Sequence, residues 1–385
     1  MTNPPQPNDL PEVELTDAEP AVKLEVNPDP TAEIEVEPDE TETDEVEVSE
    51  VGTDDADDAD ADDLEDEDED ELSDVEMDEA DPTPTSFRSG FVGILGRPNA
   101  GKSTLINHLV GEKIAAVSDK PQTTRTRIQG IVTLPDEGQI VFVDTPGVHK
   151  PGYKLNKRMM QAVLDTIQTV DLLLLLRDAS VSTGNGDKFV LDMVKQAGKP
   201  TFLLLNKIDK VADKTALLKL MEFYRTEYEF VEFIPLSGLK GDNTKLLVQK
   251  ILEHLPVGPA LFEEDALTDQ TDRMLVAELI REQALRALSQ ELPFSIAVMT
   301  EQWETRPNGV VHLACVIYVE RESQRAIVLG KGGANMKKIA IAARKNIEAM
   351  LDTRIFLELF VKVQPHWRND ERMLDLMGIE KLGRE

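Results

Sequence analysis

The chain has a single cysteine, Cys315, among its 385 residues. One thiol cannot form an intrachain disulfide or a multi-cysteine metal site, so a disulfide-stabilised secreted domain is excluded and a reducing compartment is indicated. Cys315 lies in a run of alternating apolar residues, and we expect it in the core. The five histidines are scattered without the spacing of metal ligands, so they predict no transition-metal site.

Long apolar runs are also lacking. Stretches such as residues 172–176 have the length of a buried strand and fall far short of the ~20 residues that cross a bilayer. The N-terminus lacks a basic region followed by an apolar segment, and its acidity is unlike that of an organelle transit peptide. We therefore expect a soluble, cytoplasmic protein without an export signal.

Basic residues are almost missing from the first 85 positions. That segment holds 36 of the 74 acidic residues and one of the 41 basic residues, which gives −35 there and +2 for the rest. It has many prolines and no aromatic residue, and it cannot bury enough apolar surface to offset chain entropy. We predict that residues 1–85 form a disordered acidic tail. Two roles are open: a solvated segment that raises solubility, or a mimic of nucleic-acid phosphates.

A glycine-rich segment, the phosphate loop (residues 96–104, GRPNAGKST), follows the apolar run 91–95 and precedes a helical pattern at 105–109. In such a turn, backbone N–H groups converge on an anion at the helix N-terminus. Lys102 can reach the terminal phosphates of a nucleotide, and the Ser103 hydroxyl can bind magnesium. The predicted phosphate-binding residues are Gly96, Asn99, Ala100, Gly101, Lys102, Ser103 and Thr104.

The nature of the base follows from residues 206–209 (NKID), which come directly after a buried-type strand. The Asp209 carboxylate can accept both the ring N–H and the exocyclic amine of guanine, a pair of donors that adenine does not offer. The nucleotide is therefore predicted to be GTP or GDP. A second loop, at Ser237 and Gly238, can support the guanine oxygen. The predicted base-binding residues are Asn206, Lys207, Asp209, Ser237 and Gly238.

Two further segments predict a sensor for the γ-phosphate. The strand 139–143 ends in DTPG, where Asp144 is expected to hold magnesium through water and Gly147 to offer its N–H to the γ-phosphate. Upstream lies the first switch segment (residues 122–127, QTTRTR). Within it Thr124 is the preferred magnesium ligand and Thr123 the alternative. The predicted catalytic residues are Lys102, Thr124, Asp144 and Gly147, and the predicted magnesium ligands are Ser103, Thr124 and Asp144.

The order of elements predicts two domains after the tail. Strands alternate with helices from about residue 91 to 255, which predicts an α/β doubly wound sheet with the nucleotide at the carboxyl ends of its strands. A turn-rich, acidic stretch follows. We predict a GTP-binding domain over 86–258, a linker over 259–272 and a smaller α+β domain over 273–385.

The α+β domain has the element order of a KH RNA-binding module. The predicted elements are a helix at 273–290, strands at 294–299 and 310–319, a helix at 323–328, the glycine loop (residues 330–333, GKGG), a basic helix at 334–350 and a strand at 355–363. The loop lets the backbone of single-stranded RNA approach closely, and nearby lysines can neutralise phosphates. The predicted RNA contacts are Gly330, Lys331, Gly332, Gly333, Lys337 and Lys338.

Purely structural roles of these residues in the second domain stay open. A glycine pair can simply end a helix, and three lysines can form a solvated helix face. The apolar residues Ile327, Val328 and Ile339 can either complete the core or line a groove for bases.

The motifs GRPNAGKST, KPQTTRTRIQGI, DTPGVHKP, NKID and GKGG, in this order and with a KH-like module, resemble the Era family of bacterial GTPases over residues 88–385. The resemblance implies a GTP-hydrolysing switch that binds small-subunit ribosomal RNA near its 3′ end and assists assembly of the 30S subunit. It also implies peripheral association with the inner face of the cell membrane, and the alternative function of a membrane-recruited cell-cycle regulator. We expect a monomer.

By motif, the resemblance assigns the nucleotide site to Asn99, Gly101, Lys102, Ser103, Thr104, Thr124, Asp144, Gly147, Asn206, Lys207 and Asp209. It also makes Asn99 the candidate ligand of a potassium ion. Two features depart from the family pattern: the long acidic tail, and Ser237-Gly238 in place of the more usual Ser-Ala.

Val148 follows the DTPG motif, where many switch GTPases place a glutamine that orients the attacking water. An apolar side chain cannot do this, so we predict slow intrinsic hydrolysis, with charge stabilised by magnesium, Lys102 and either a partner or potassium. Val148 packing within the switch is the alternative interpretation. Hydrolysis can either perform mechanical work or time release from RNA, and we favour the second.

Overall fold

The structure is a computed structural model that describes residues 22–26, 86–120, 122–147, 152–288 and 292–379. It contains two sheets. One belongs to the first domain, and the other combines strands of the second domain with β1 (Val22–Val26), a strand from the acidic tail.

The first domain is a six-stranded sheet with helices on both faces. Its strands are β2 (Arg88–Gly96), β3 (Ile128–Leu134), β4 (Gly138–Asp144), β5 (Leu172–Asp178), β6 (Thr201–Asn206) and β7 (Glu232–Pro235). Its helices are α1 (Lys102–Val110), α2 (Lys154–Thr169), α3 (Asn185–Ala197), α4 (Thr215–Glu227) and α5 (Thr244–His254). The strand order is β3-β4-β2-β5-β6-β7, and only β3 runs antiparallel to its neighbour. The predicted doubly wound sheet is confirmed.

Leucine-rich strands form the middle of this sheet because they are covered on both faces, as central strands of a parallel sheet must be. Successive side chains of β5 enter opposite layers. Leu174 packs in the layer that contains Ile106 of α1, whereas Leu173 packs with Val163 of α2 and Val194 of α3. Burial on both sides fixes the carboxyl ends of the strands, where the site loops begin.

The second domain consists of a sheet with helices packed on it. Its elements are α6 (Asp272–Ala287), α7 (Leu292–Ser295), β8 (Ala297–Thr305), β9 (Val311–Val319), α8 (Glu322–Leu329), a 3-10 turn (Lys331–Gly333), α9 (Ala334–Leu351), β10 (Ile355–Val363) and α10 (Glu371–Leu376). The strand order is β1-β10-β9-β8, with β9 and β10 parallel and the other pairs antiparallel. The predicted KH-like α+β fold is confirmed.

One predicted strand begins later than expected. We predicted a strand from residue 294, but residues 292–295 form a helical turn and β8 starts at Ala297. The turn is held because the Ser295 hydroxyl donates to the Leu292 carbonyl at 3.1 Å, and the Ser295 carbonyl accepts from Trp367 Nε1 at 2.9 Å. The second of these contacts is tertiary, so the local pattern did not reveal it.

Five residues of the predicted acidic tail form β1, whereas we expected no regular structure there. Val22, Leu24 and Val26 lie opposite Val361, Leu359 and Leu357 of β10. The segment VKLEV alternates apolar and charged residues, which is typical of a strand with one buried face. The composition of the whole tail concealed this short pattern. The rest of residues 1–85 lies outside the described residues.

The predicted linker is bonded to the first domain. Gln139 of β4 accepts hydrogen bonds from the backbone N–H groups of Leu261 and Phe262 at 2.7 and 2.9 Å, and Ile131 of β3 donates to the Leu267 carbonyl at 2.9 Å. The connection to α6 therefore follows one edge of the sheet. Within the described residues, no helix is both long and apolar enough to cross a membrane.

Candidate nucleotide site and its contacts with the second domain

The phosphate loop connects the end of β2 to the start of α1 through two residues with positive φ, Asn99 (64°) and Gly101 (102°). A Cβ atom on Gly101 would lie 2.4 Å from Nδ2 of Asn206. Only glycine therefore fits at this position. The turn brings the loop backbone to the N-terminus of α1, as an anion site requires.

Lys102 and Asp144 bring opposite charges into the floor of the site. Lys102 is 7% exposed and Asp144 is fully buried. Burial lowers the pKa of Lys102, and Asp144 opposes this shift. Burial raises the pKa of Asp144, opposed first by Lys102 and then by hydrogen bonds from Ser103 and Thr124. Each charge thus reduces the cost of burying the other.

Three side-chain oxygens meet beside Lys102. Ser103 Oγ donates to Asp144 Oδ2 at 2.7 Å and lies 2.8 Å from Thr124 Oγ1, which is 3.3 Å from the same carboxylate oxygen. Asp144 Oδ1 is buried without a hydrogen-bond partner in the described part of the chain. Hydroxyl and carboxylate oxygens are the ligands that Mg²⁺ prefers, and an unpaired buried carboxylate oxygen fits a cation site.

The two candidate threonines of the first switch segment have different partners. Thr124 is buried and bonded to Ser103 and Asp144. Thr123 instead donates to the Lys120 carbonyl at 2.6 Å and lies 2.8 Å from the Ser118 hydroxyl. The geometry therefore favours Thr124 over Thr123 as the magnesium ligand.

Gly147, after β4, lies against the phosphate loop: a Cβ atom there would be 3.2 Å from Cγ of Pro98. Gly147 thus lies beside the loop that is predicted to bind the phosphates. Val148, on which the prediction of slow hydrolysis depends, lies outside the described residues.

Asn206 joins three loops at the base end of the site. Its Nδ2 donates to the Ala100 carbonyl at 2.8 Å, and its Oδ1 accepts from the Gly238 N–H at 2.9 Å. Lys207 Nζ donates to the Asn99 carbonyl at 2.6 Å. These contacts hold the phosphate loop and the two predicted base loops in one arrangement.

Asp209 is oriented by Ser237, whose hydroxyl donates to Asp209 Oδ1 at 2.7 Å. This hydrogen bond is the main reason that the pKa of Asp209 lies below its usual value. The carboxylate is therefore ionised at neutral pH and suited to accept two N–H groups from guanine. Ser237 and Gly238 thus lie beside Asp209 and Asn206, although the motif is not Ser-Ala.

Asp178, which ends β5, also lies at the base end of the site and was not among the residues predicted from the sequence. Its Oδ2 accepts from Lys207 Nζ at 2.7 Å, and its Oδ1 accepts from the Ser180 N–H and hydroxyl. Partial burial raises its pKa, but the hydrogen bonds from Lys207 and Ser180 outweigh this, so the pKa lies below normal. The available signal was an aspartate closing an apolar strand at the same sheet edge as Asn206.

The glycine loop of the second domain has positive φ at Gly330 (72°), Gly332 (58°) and Gly333 (74°), which side chains other than glycine adopt at a cost. The lysines at 331, 337 and 338 are exposed, and none forms an ion pair with another described residue. Of the apolar residues left open, Val328 and Ile339 are core residues, whereas Ile327 is 46% exposed beside the loop.

Comparison with known proteins supports the predictions made for both domains. A family model described as a 50S ribosome-binding GTPase matches residues 91–207, and a KH-domain model matches residues 291–368. GTPase Era of Geotalea uraniireducens is 48% identical over 298 residues, which are 77% of this chain and 100% of the relative. GTPase Era of Alkaliphilus metalliredigens is 45% identical over 296 residues, with the same coverage of both chains. The chain belongs to the Era family of GTPases.

Solved structures of Era proteins support the same assignment. A variant of Aquifex aeolicus Era bound to GDP·AlF4⁻ matches with a TM-score of 0.74 and 36% identity, covering 76% of this chain and 99% of that one. An Era complex with MgGDPNP and nucleotides 1506–1542 of 16S ribosomal RNA matches equally well. The protein is therefore a GTPase, as predicted.

The first switch segment of this Era-family protein is bonded directly to its KH domain. Arg281 of α6, which is 2% exposed, donates to the carbonyls of Gln122 and Thr123. In the other direction, Arg125 donates to the Ile296 carbonyl at 2.6 Å. The nearby Glu282 accepts from Lys113 Nζ at 2.9 Å and from the Val117 N–H at 3.1 Å.

Helix α2, which follows the DTPG motif, makes a second contact with the KH domain. Leu155 and Met159 of α2 share a buried cluster with Trp367 and Leu374. Arg158 of α2 donates to the Ile379 carbonyl at 2.5 Å and forms ion pairs with acidic residues of α10. The sequence analysis predicted none of these interdomain residues, since no local motif marks them.

Proposed function

We propose that this protein is a GTP-dependent switch that binds small-subunit ribosomal RNA near its 3′ end through the KH domain and assists assembly of the 30S subunit. GTP loads the protein on RNA, and hydrolysis times its release. The Era complex with MgGDPNP and nucleotides 1506–1542 of 16S ribosomal RNA supports this choice of RNA.

The proposed switch is supported by the position of Thr124. This residue lies at the candidate magnesium site and is flanked by residues that bind the KH domain. The Thr123 carbonyl accepts from Arg281, and the Arg125 guanidinium donates to the Ile296 carbonyl. A nucleotide that holds or releases Thr124 must therefore favour one arrangement of the KH domain over another. This is the differential contact that coupling between two sites requires.

Within the site we assign phosphate binding to the backbone of Gly96, Asn99, Ala100, Gly101 and Thr104, and charge neutralisation to Lys102. Ser103 and Thr124 ligate magnesium, Asp144 holds it through water, and Gly147 senses the γ-phosphate. Asn206, Lys207, Asp209, Ser237 and Gly238 recognise guanine. When bound, magnesium neutralises charge that develops on the transferring phosphoryl group.

Hydrolysis is proposed to be slow, with Asn99 contributing to a potassium site. Asn99 Nδ2 donates to the Asp119 carbonyl at 2.6 Å, so the amide is already held between the phosphate loop and the segment before the first switch. Turnover measured in potassium and sodium buffers of equal ionic strength tests the assignment. Equal rates in the two buffers would remove potassium from the mechanism.

The function is tested by titrating a 3′-terminal small-subunit ribosomal RNA oligonucleotide with the full chain, in GDP and in a non-hydrolysable GTP analogue. Tight binding only with the analogue is expected. Gly332→Asp is the matched variant, because position 332 has open space around a Cβ and aspartate tolerates positive φ. It should keep GTP binding and lose RNA. RNA affinity that is the same with both nucleotides would contradict the switch.

We place the protein in the cytoplasm as a monomer, with peripheral association at the membrane as a further prediction. Sedimentation with anionic lipid vesicles tests the association. Vesicle binding together with absence of RNA binding would favour the membrane-recruited cell-cycle regulator instead.

A further inference from the structure

The outer edge of the KH sheet is covered by a segment of the acidic tail. β10 pairs with β9 on one side and with β1 on the other. β1 also approaches α9, so it lies in the angle between that helix and the sheet edge. Without β1, the backbone N–H and C=O groups along this edge of β10 would be open to another extended chain.

This edge leads to the glycine loop. α9 ends at Leu351 and β10 begins at Ile355, so the two run antiparallel with similar lengths, about 27 Å and 30 Å from their residue counts. The start of α9, which follows Gly333, therefore lies at the end of β10 near Val363. Val22 is opposite Val361. The first residue of β1 thus lies toward the glycine loop.

The register of β1 suits this edge. Val22, Leu24 and Val26 are opposite residues of β10 that are fully buried in the domain core, Val361, Leu359 and Leu357. The five-residue segment also contains Lys23, the one basic residue among the first 85 positions. Pairing thus uses a part of the tail whose apolar residues alternate with charged ones and whose two charges, Lys23 and Glu25, cancel.

The rest of the tail is strongly acidic. Sixty-one residues separate Val26 from Arg88, and 30 of residues 27–85 are acidic. At up to ~3.3 Å per residue, this connection can span any distance on the domain. The length of the connection thus lets its carboxylates reach Lys331, Lys337 and Lys338, and negative charge there repels a polynucleotide.

We propose that Val22–Val26 is an internal competitor of RNA: it docks on β10 and excludes single-stranded RNA from the groove beside the glycine loop. A KH loop clamps about four nucleotides, and we place their path beyond the loop in the groove between α9 and the edge of β10, where β1 lies. The inference rests on the proposed RNA binding. A strand that is docked for nine tenths of the time lowers the apparent RNA affinity roughly tenfold.

The experiment compares two triple variants of the full chain that carry the same added charge. Val22→Asp, Leu24→Asp and Val26→Asp remove the apolar pattern of β1. Val46→Asp, Val48→Asp and Val51→Asp add three carboxylates elsewhere in the tail. Hydrogen exchange of the β10 amides reports docking, and titration of the RNA oligonucleotide with the GTP analogue reports competition.

We expect the β1 triple variant to lose protection at β10 and to bind RNA about tenfold more tightly, although its tail is more acidic. The control variant should keep the protection and bind RNA no better than the unaltered chain. Weaker RNA binding by both variants would show that charge alone acts, which overturns the proposal. Unchanged protection in the β1 variant would overturn docking. Absence of RNA binding in every variant refutes the proposed function, whereas the exchange data still decide docking.

Discussion

The guanidinium of Arg125 lies 5.5 Å from the centre of the Trp367 ring, across the boundary between the two domains. Arg125 follows Thr124 directly, and Trp367 is fully buried with its Nε1 donating to the Ser295 carbonyl. The residue beside the magnesium site is thus anchored in the KH core. This contact gives the nucleotide a path to the KH domain that is one residue long, like the bond of Thr123 to Arg281 on the other side of Thr124.

Arg125→Ala is expected to uncouple the two sites. The variant loses a charged hydrogen bond of 2.6 Å to the Ile296 carbonyl, of a kind worth about 1.5–3 kcal/mol, and a longer, weaker one of 3.4 Å to the Phe294 carbonyl. We expect the free energy of unfolding to fall by about 2–4 kcal/mol. The ratio of the RNA affinity with the GTP analogue to the RNA affinity with GDP should approach one. Urea unfolding and RNA titration in both nucleotides measure these effects.

Arg127→Ala is the matched control, because Arg127 lies two residues away and its guanidinium makes no hydrogen bond or ion pair described for residues 86–120, 122–147, 152–288 and 292–379. It should keep the nucleotide preference. An Arg125→Ala protein that still binds RNA only with the analogue would show that Arg125 is not needed for the coupling, which would leave the Arg281 bonds and the α2 contact as its routes.

Thr124→Ala and Thr123→Ala are predicted to differ sharply. Thr124 touches Ser103 and Asp144, so its loss should lower the affinity for magnesium in the triphosphate state and slow hydrolysis about 100-fold. The Thr123 side chain bonds only within its own loop, and the backbone bond of Thr123 to Arg281 survives the substitution, so the loss should cost about 1 kcal/mol of stability. Magnesium titration of single-turnover hydrolysis distinguishes them. Equal magnesium dependence in both variants would contradict the assignment of Thr124.

The nucleotide site was predictable because its chemistry is local in sequence. The glycines of the phosphate loop, the aspartates after strands and the NKID segment each carry their function within a few residues, and a parallel sheet brings strand ends to one edge. The KH elements were predictable for a similar reason: β10 has a strict alternation of buried and half-buried residues, and α9 a continuous apolar face.

What the sequence did not reveal depends on contacts between distant residues. Arg281 and Glu282 look like ordinary charges of an amphipathic helix, yet they are 2% and 0% exposed because they bind the first switch segment and the loop before it. The strand β1 is hidden in a tail whose average composition opposes folding. Its pairing depends on an open edge of β10, which only the assembled sheet provides.

Cys315 provides a reporter of opening in the KH domain. Burial raises the pKa of its thiol from 9.0 to about 12, so roughly one molecule in ten thousand carries the thiolate at pH 8. We expect a thiol reagent to modify the native protein very slowly and the urea-unfolded protein within minutes. Since the folded pKa is raised, the unfolded state loses its proton first, and stability should fall as the pH rises from about 9 to 12.

The Cys315→Ser variant gives the background signal of this assay, because the chain has no other thiol. Complete modification of the native protein at pH 8 within minutes would show that β9, in which Cys315 lies, opens far more readily than its full burial implies.

Asp209→Asn is expected to change the base that the site accepts. The carboxylate is oriented by Ser237 at 2.7 Å, and in the proposed function it accepts two N–H groups of guanine, each worth about 1.5–3 kcal/mol. In the variant, the asparagine NH2 group faces one of the guanine N–H groups, so two donors meet and a hydrogen bond is lost. GTP affinity should therefore fall at least about 100-fold. Xanthosine triphosphate has a carbonyl in place of the exocyclic amine and should bind the variant better than GTP.

Asp213→Asn is the control, because Asp213 is bonded to Thr215 at the start of α4. Calorimetric titration of both variants with both nucleotides measures the change, and undiminished GTP affinity in Asp209→Asn would place base recognition elsewhere.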